Sequence, residues 1–149
     1  SRNDNNLLLF LLFLFFLLVS VSHSDVFEIY ELDANGLHRV YVNDFNQVPV
    51  VQMQDGRLGI DDSKSIGGIL ELFNTDNFIY LGYSHLSLKE VSLNDYTFDE
   101  ILCFDWNGNK VKKYNLPFPV STFCVIDNLL YVTSLEDNNM TIYRLESDK

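Results

Sequence analysis

The side chains that could do chemistry are few and dispersed. His23, His38 and His85 stand far apart, with no Cys, His or carboxylate partner at metal-ligand spacing. Each therefore reads as a solvent-facing or singly bonded side chain, not as a ligand or a base. Asp105-x-Asn107-x-Asn109 has the form of the opening of a calcium loop, but Lys110 follows where that loop needs Gly, and no bidentate Glu arrives in register. The related Asp33-Ala34-Asn35-Gly36 carries the same residue types where a turn is needed, so both segments read as turns. No G-x-S-x-G elbow frames a serine. Gly67-Gly68 precedes a strand and not a helix, so it lets the chain turn and builds no phosphate cradle. Cys103 and Cys124 make neither a CxxC pair nor ligand spacing, and both lie in apolar strand-like runs, where a free Cys acts as a small buried hydrophobe. The expectation is a non-enzymatic protein with no catalytic set, no metal and no cofactor.

Charge narrows the partners. Ten basic residues against 21 acidic ones give a net charge of −11, a field that repels a phosphate backbone and argues against nucleic-acid binding. Lys110, Lys112 and Lys113 fall on what reads as an outermost strand, where positive charge discourages edge-to-edge pairing. Asn139-Met140-Thr141 is formally a glycosylation sequon.

The N-terminal residues read separately from the rest. Leu7–Val21 (LLLFLLFLFFLLVSV) contains no charge. As a helix it would be about 22 Å long, short of the ~30 Å hydrocarbon core. That length fits a signal segment, and Ser22 and Ser24 fit a small-x-small cleavage site near Ser24. The flank SRNDNN is a poor positive n-region, which keeps open an uncleaved membrane anchor, or residues supplied by a truncated or misread frame. Residues 1–24 are thus expected to be a hydrophobic helical leader, touching membrane through residues 7–21 if uncleaved. The rest is expected in the cell envelope: periplasmic, on the outer surface or secreted.

From Asp25 onward, short apolar or alternating runs are separated by turn signals, with no sustained helical periodicity. The runs are 27–32, 37–42, 48–54, 57–60, 69–73, 78–83, 101–106, 110–116, 121–126, 129–135 and 141–145, rich in Val, Ile, Tyr and Phe. Between them lie Asn35-Gly36, Asp55-Gly56, Asn107-Gly108 and Asp127-Asn128, residues suited to the two positive φ angles of a type I′ hairpin turn. The fold class is therefore all-β, an antiparallel meander. The meander repeats: FEIYELDANG (27–36) matches EILCFDWNG (100–108), each strand ending at an Asp two residues before Asn-Gly. Thr141-Ile142-Tyr143-Arg144-Leu145 is a third, incomplete copy, and Phe78-Ile79-Tyr80-Leu81 resembles Leu129-Leu130-Tyr131-Val132. Four-stranded repeats of about 40–50 residues indicate propeller blades. Residues 25–149 are then a partial β-propeller of two to three blades, with one whole blade at 69–116 (strands a to d) and an incomplete last blade at 121–145. Residues 27–42 are strands c and d of an earlier blade, while the segment 48–60 fits the scheme least well.

The segments ILCFDWNGNKVKKYNL (101–116), VSTFCVI (120–126), Leu130-Tyr131-Val132 and Ile142-Tyr143 resemble the TolB-like six-bladed propellers found as envelope proteins of gut Bacteroidetes. The resemblance covers about residues 27–149, most strongly from 69, and looks like the C-terminal third of such a ring. It implies a secreted binding or scaffold role, and brings no catalytic residue to any position here.

In a four-strand meander the b–c and d–a connections share one end. The long connection, His85–Glu100, is of the b–c kind, Pro117–Pro119 is d–a, and Leu135–Asn139 is the next b–c. That end gathers His85, Glu90, Asp95, Tyr96, Glu136 and Asp137, the candidate ligand-face residues, because function commonly sits on loops over a rigid scaffold. The competing reading is that the long loop is a tolerated insertion. Three readings remain open: a propeller module binding a protein or glycan-like partner, a piece of a propeller enzyme whose catalytic residues lie in missing blades, and a membrane-anchored remnant without independent function; self-association of the fragment is a further expectation.

Overall fold

The computed structural model describes residues 16–20, 24–43, 49–134 and 140–144. Among these residues three antiparallel sheets stack in sequence order. The first contains β1 (Phe16–Ser20), β2 (Phe27–Asp33) and β3 (Gly36–Asn43). The second, central sheet has the order β6 (Ile66–Asn74), β7 (Phe78–Ser87), β8 (Phe98–Asp105), β9 (Lys110–Val120). The third holds β10 (Thr122–Ile126), β11 (Leu129–Thr133) and β12 (Met140–Arg144). A separate hairpin, β4 (Val51–Gln54) with β5 (Arg57–Ile60), stands between the first and central sheets in sequence, and one short helix, α1 (Leu88–Leu93), joins β7 to β8. The all-β meander read from the sequence is the architecture observed.

The central sheet is apolar on both faces. Side chains alternate along a strand. Ile79, Leu81 and Tyr83 of β7, Leu102 and Phe104 of β8 and Ile69 of β6 pack on Phe27 and Ile29 of β2. Tyr80, Phe98, Ile101 and Cys103 face the other way and pack on Phe123, Val125, Leu130 and Val132. Ring pairs seal each interface: Phe27 lies 5.0 Å from Phe104, and Phe98 5.8 Å from Phe123, both edge-on. This double burial explains why FIYLGY (78–83) reads as a continuous apolar run. Cys103 lies in the second interface, where burial pushes its thiol up to about 11. Cys124, between the inward Phe123 and Val125, takes the opposite face, and both cysteines are free.

The turns divide into two kinds. Asp55-Gly56 (φ 49 and 76) and Asp127-Asn128 (φ 50 and 61) have the paired positive angles of a type I′ turn. The two Asn-Gly turns do not. Gly36 and Gly108 have positive φ, but Asn35 and Asn107 do not. An aspartate explains the difference. Asp33 accepts from the Asn35 N–H at 2.7 Å, and Asp105 accepts from the N–H groups of Asn107 and Asn109 and from the Asn109 side chain. These bonds close the chain locally before a type I′ geometry can form. They also hold the Asp105 carboxyl below the usual carboxylate value.

Two other expectations change, and one segment gains its place. Phe16–Ser20 is not helical: it forms β1 and pairs residue for residue with Glu31–Phe27 of β2, while the Phe16 ring stacks on Trp106 at 5.2 Å. The edge of β2 supplies backbone partners that an isolated leader lacks. Residues 1–15 and 21–23 lie outside the described residues. Pro117 and Pro119 are not a connection but part of β9, an edge strand where a missing N–H costs no ladder bond. The segment 48–60, unplaced in the repeat, is mostly the β4–β5 hairpin.

Glycine is required where sheets meet. A Cβ on Gly108 (φ +82) would stand 2.1–2.4 Å from the Tyr41 ring of β3, and one on Gly82 within 2.8 Å of the Phe98 ring. Gly108→Ala is expected to destabilise the chain by about 1–3 kcal/mol, combining left-handed strain with displacement of Tyr41. In a Tyr41→Ala background the same change should cost only the backbone part, about 1 kcal/mol. Urea unfolding of the four proteins measures this; equal costs in both backgrounds would refute the contact.

Candidate functional site

β7 ends in His85-Leu86-Ser87, and Ser87 caps α1. Its hydroxyl accepts from the Glu90 N–H, while the Glu90 carboxylate accepts from the Ser87 hydroxyl and N–H, a complete capping box. Those bonds hold the Glu90 carboxyl below its ordinary value. Leu88 and Val91 are buried, Val91 against Gly67, where a Cβ would come within 2.5 Å. After α1 the chain doubles back. Asn94 N–H donates to the carbonyls of Glu90 and Val91, Tyr96 N–H to Val91 at 2.9 Å, and Thr97 N–H to Asn94. The consecutive left-handed residues Asp95 (φ 54) and Tyr96 (φ 58) make this reversal possible. Leu93 and Tyr96 are left facing water, 75% and 52% exposed.

The loop is tied to the turn preceding β6. Leu88 N–H donates to Ser65 O and Lys89 N–H to Asp62 O, at 2.8 and 3.0 Å. Within that turn the buried Asp61 accepts from the Ser63 N–H and hydroxyl and pairs with Lys64, contacts that keep its carboxyl low. The same turn carries the hairpin, through Asp61 N–H to Val50 O (2.7 Å) and Val50 N–H to the Ser65 hydroxyl (2.8 Å). Helix, turn and hairpin thus share one base at the b–c/d–a end.

A charged cluster lies at the same end of the central sheet. Glu100 is buried at the start of β8, beside Tyr83 in the register. Its Oε2 meets the ammonium of Lys113 from β9 and Nε2 of His85 at 3.2 Å. The Tyr83 ring packs edge-on against His85, centroids 4.7 Å apart, and its hydroxyl donates to Oδ1 of the buried Asp25 at 2.9 Å. Burial first, then the Asp25 contact, drives the Tyr83 hydroxyl well above its usual value. Among the described residues no group of three His, Cys, Asp or Glu is placed to hold a metal.

Antiparallel sheets stacked face to face, with the four strands of the central one in sequence order, are the arrangement of propeller blades. A family model described as "TolB-like 6-blade propeller-like" matches residues 16–128, more than half of the chain. The chain belongs to the TolB-like six-bladed propeller family. No curated protein matches it. The TolB-like match begins at Phe16, so β1 lies within it.

On this TolB-like propeller the sequence-predicted residues fall in three places. His85 is on β7 and not in a loop, because the strand continues to Ser87. Its hydrogen bond goes to Glu100, fifteen positions away, a pairing that only the β7–β8 register creates. Glu90 lies in α1 and Asp95 and Tyr96 in the turn after it. Glu136 and Asp137 lie outside the described residues. Lys113, read as edge protection, is a cross-strand ion-pair partner, while Lys112 lies over the Tyr114 ring at 5.0 Å. The β4–β5 hairpin follows the two runs and the Asp55-Gly56 turn read from the sequence, and what the four-strand repeat lacked was a place for it.

Lys113→Met removes a cation from the buried Glu100 and is expected to cost about 1–3 kcal/mol, discounted for the partial exposure of the lysine. Adding Glu100→Leu should restore most of that, since an apolar pair needs no counter-charge. Denaturant unfolding checks both; a double variant no more stable than Lys113→Met would contradict the pairing.

Proposed function

We propose that this chain is a non-enzymatic propeller module of the cell envelope that binds a protein or glycan-like partner through its b–c/d–a end. One observation carries the reading: Leu93 and Tyr96 are held out to solvent by a hydrogen-bonded turn with two successive non-glycine residues in the left-handed region. Such strain persists where surrounding contacts over-determine it, and it clusters at functional sites. An exposed aromatic ring and an exposed aliphatic side chain on one loop suit stacking on a sugar face or anchoring in a protein pocket. The absence of catalysis is supported by the charged cluster at this end, where the Glu100 carboxylate already engages His85 and Lys113. The envelope placement is supported by the charge-free run Leu7–Val21, although β1 makes removal of residues up to Ser24 costly to the first sheet.

The test is binding to immobilised glycans and to displayed peptides. Tyr96→Ala and Leu93→Ser should each abolish binding while keeping a cooperative melt and the wild-type far-UV spectrum. Retained binding in both variants would sink the proposal.

The cap adds a pH dependence. The Glu90 carboxyl is lowered in the folded chain by its bonds to Ser87. Its stabilising bonds are therefore fully present above the unfolded value, about 4.3, and are lost as pH falls through the lower folded value. Amide exchange at Asn94 and Tyr96 should stay slow from neutrality to about pH 5 and speed up below about pH 4 beyond the intrinsic rate. Glu90→Gln, which can keep a capping box, should remove that step. A step of equal size in both proteins would place the titration elsewhere.

A further inference from the structure

The β4–β5 hairpin is the one two-stranded sheet among the described residues. Its register pairs Val51 with Ile60 and Met53 with Leu58, so these four side chains share one face, while Gln52, Gln54 and Arg57 take the other. The apolar four are 58, 65, 76 and 45% exposed in the order Val51, Met53, Leu58, Ile60. An isolated two-stranded ribbon is marginal in water and gains stability from a third strand. Here the ribbon is held at its base by Val50, Asp61 and Ser65 and through them to α1.

The edges of the molecule differ in how they are guarded. β9 carries Lys110, Pro117 and Pro119 along the edge of its sheet, features that discourage strand addition. β4 reads Val-Gln-Met-Gln, with no charge and no proline. Because a two-residue turn closes the hairpin, Gln54 bonds Arg57 and Gln52 bonds Gly59, which turns the N–H and C=O of Val51 and Met53 outward. The Asp61 N–H to Val50 O bond continues that alternation. The unguarded edge and the apolar face therefore belong to the same strand.

Area argues about the occupant. Two copies stacked hairpin to hairpin would bury only a few hundred Å² per chain, short of the roughly 800 Å² per partner of a stable interface. An added strand gains main-chain hydrogen bonds besides area. The net charge of −11 favours a segment with basic flanks.

We propose that the open edge of β4 receives an extended segment of a protein partner. The segment adds as a third strand, lays large apolar residues two apart beside Val51 and Met53, and carries basic residues at its ends. This rests on the reading of the b–c/d–a end as the binding face and commits it to a protein partner.

The experiment titrates the full chain into a capped, fluorescein-labelled peptide of alternating valine and threonine with a lysine at each end, read by anisotropy. Saturable binding is expected. Met53→Pro, which removes an outward N–H but no β4–β5 bond, should weaken it about tenfold or more. Val51→Lys, which keeps the hairpin bonds and repels the lysines, should do the same. Ile126→Ser, at an exposed position on β10, should leave it unchanged; peptide binding in the β4 variants and glycan binding in the Tyr96 variant are read apart, so failure at Tyr96 and failure at β4 are separable. No saturable binding, equal binding to wild type and both β4 variants, or a wild-type dimer in sedimentation that Met53→Pro dissociates would each overturn the proposal, the last by giving the edge to a second copy.

Discussion

The central sheet is apolar on both faces, and each face must be withdrawn from water by a different neighbour. Phe27 and Ile29 cover one side and Phe123, Val125, Leu130 and Val132 the other. Burying a large apolar side chain contributes about 1.5–3 kcal/mol, so no single hydrogen bond in the molecule competes with either interface. The stacking also dictates where small residues must stand. Gly82 lies under the Phe98 ring and Gly108 against Tyr41, because rings from an adjoining strand or sheet occupy the space of a side chain.

Polar chemistry is confined by that packing to the margins. Glu100 sits where the apolar interface gives way to the b–c end, and it is tolerated because two strands deliver Lys113 and His85 to it. Asp25 is reached by Tyr83 across the same interface. At the same end the capped helix and the hairpin share the Asp61–Ser65 turn, so the loops rest on a rigid foundation. A binding reading of this end draws on that rigidity: the exposed Leu93, Tyr96, Val51 and Met53 are placed by bonds made elsewhere.

What the sequence revealed follows the range over which each interaction acts. The strand pattern is local, and it was legible; that the run at 78–83 is buried on both faces came only with its two neighbouring sheets. The Asp33 and Asp105 turns were visible as repeated residues, but their geometry was not, because a side-chain bond to Asn35 or Asn107 replaces the type I′ form that Asn-Gly suggests. His85 was read as a loop residue because the end of β7 depends on its pairing with β6, where Ser87 lies opposite Ile66. The charge-free run through Phe16–Ser20 is apolar enough for either a leader helix or a buried strand, and only β2 as a partner separates them. The hairpin at Val51–Ile60 had a clear local signal, but it fell outside the four-strand repeat and so had no place in it.

Ring-to-ring nuclear Overhauser effects in a chain protonated only at phenylalanine test the double-sided stacking most directly. The account predicts cross-peaks from Phe27 to Phe104 and from Phe98 to Phe123, whose centroids are 5.0 and 5.8 Å apart. Absence of either cross-peak in a chain whose amides show the β6–β7–β8–β9 ladder would contradict it, because the central sheet would then exist without the neighbour on that face.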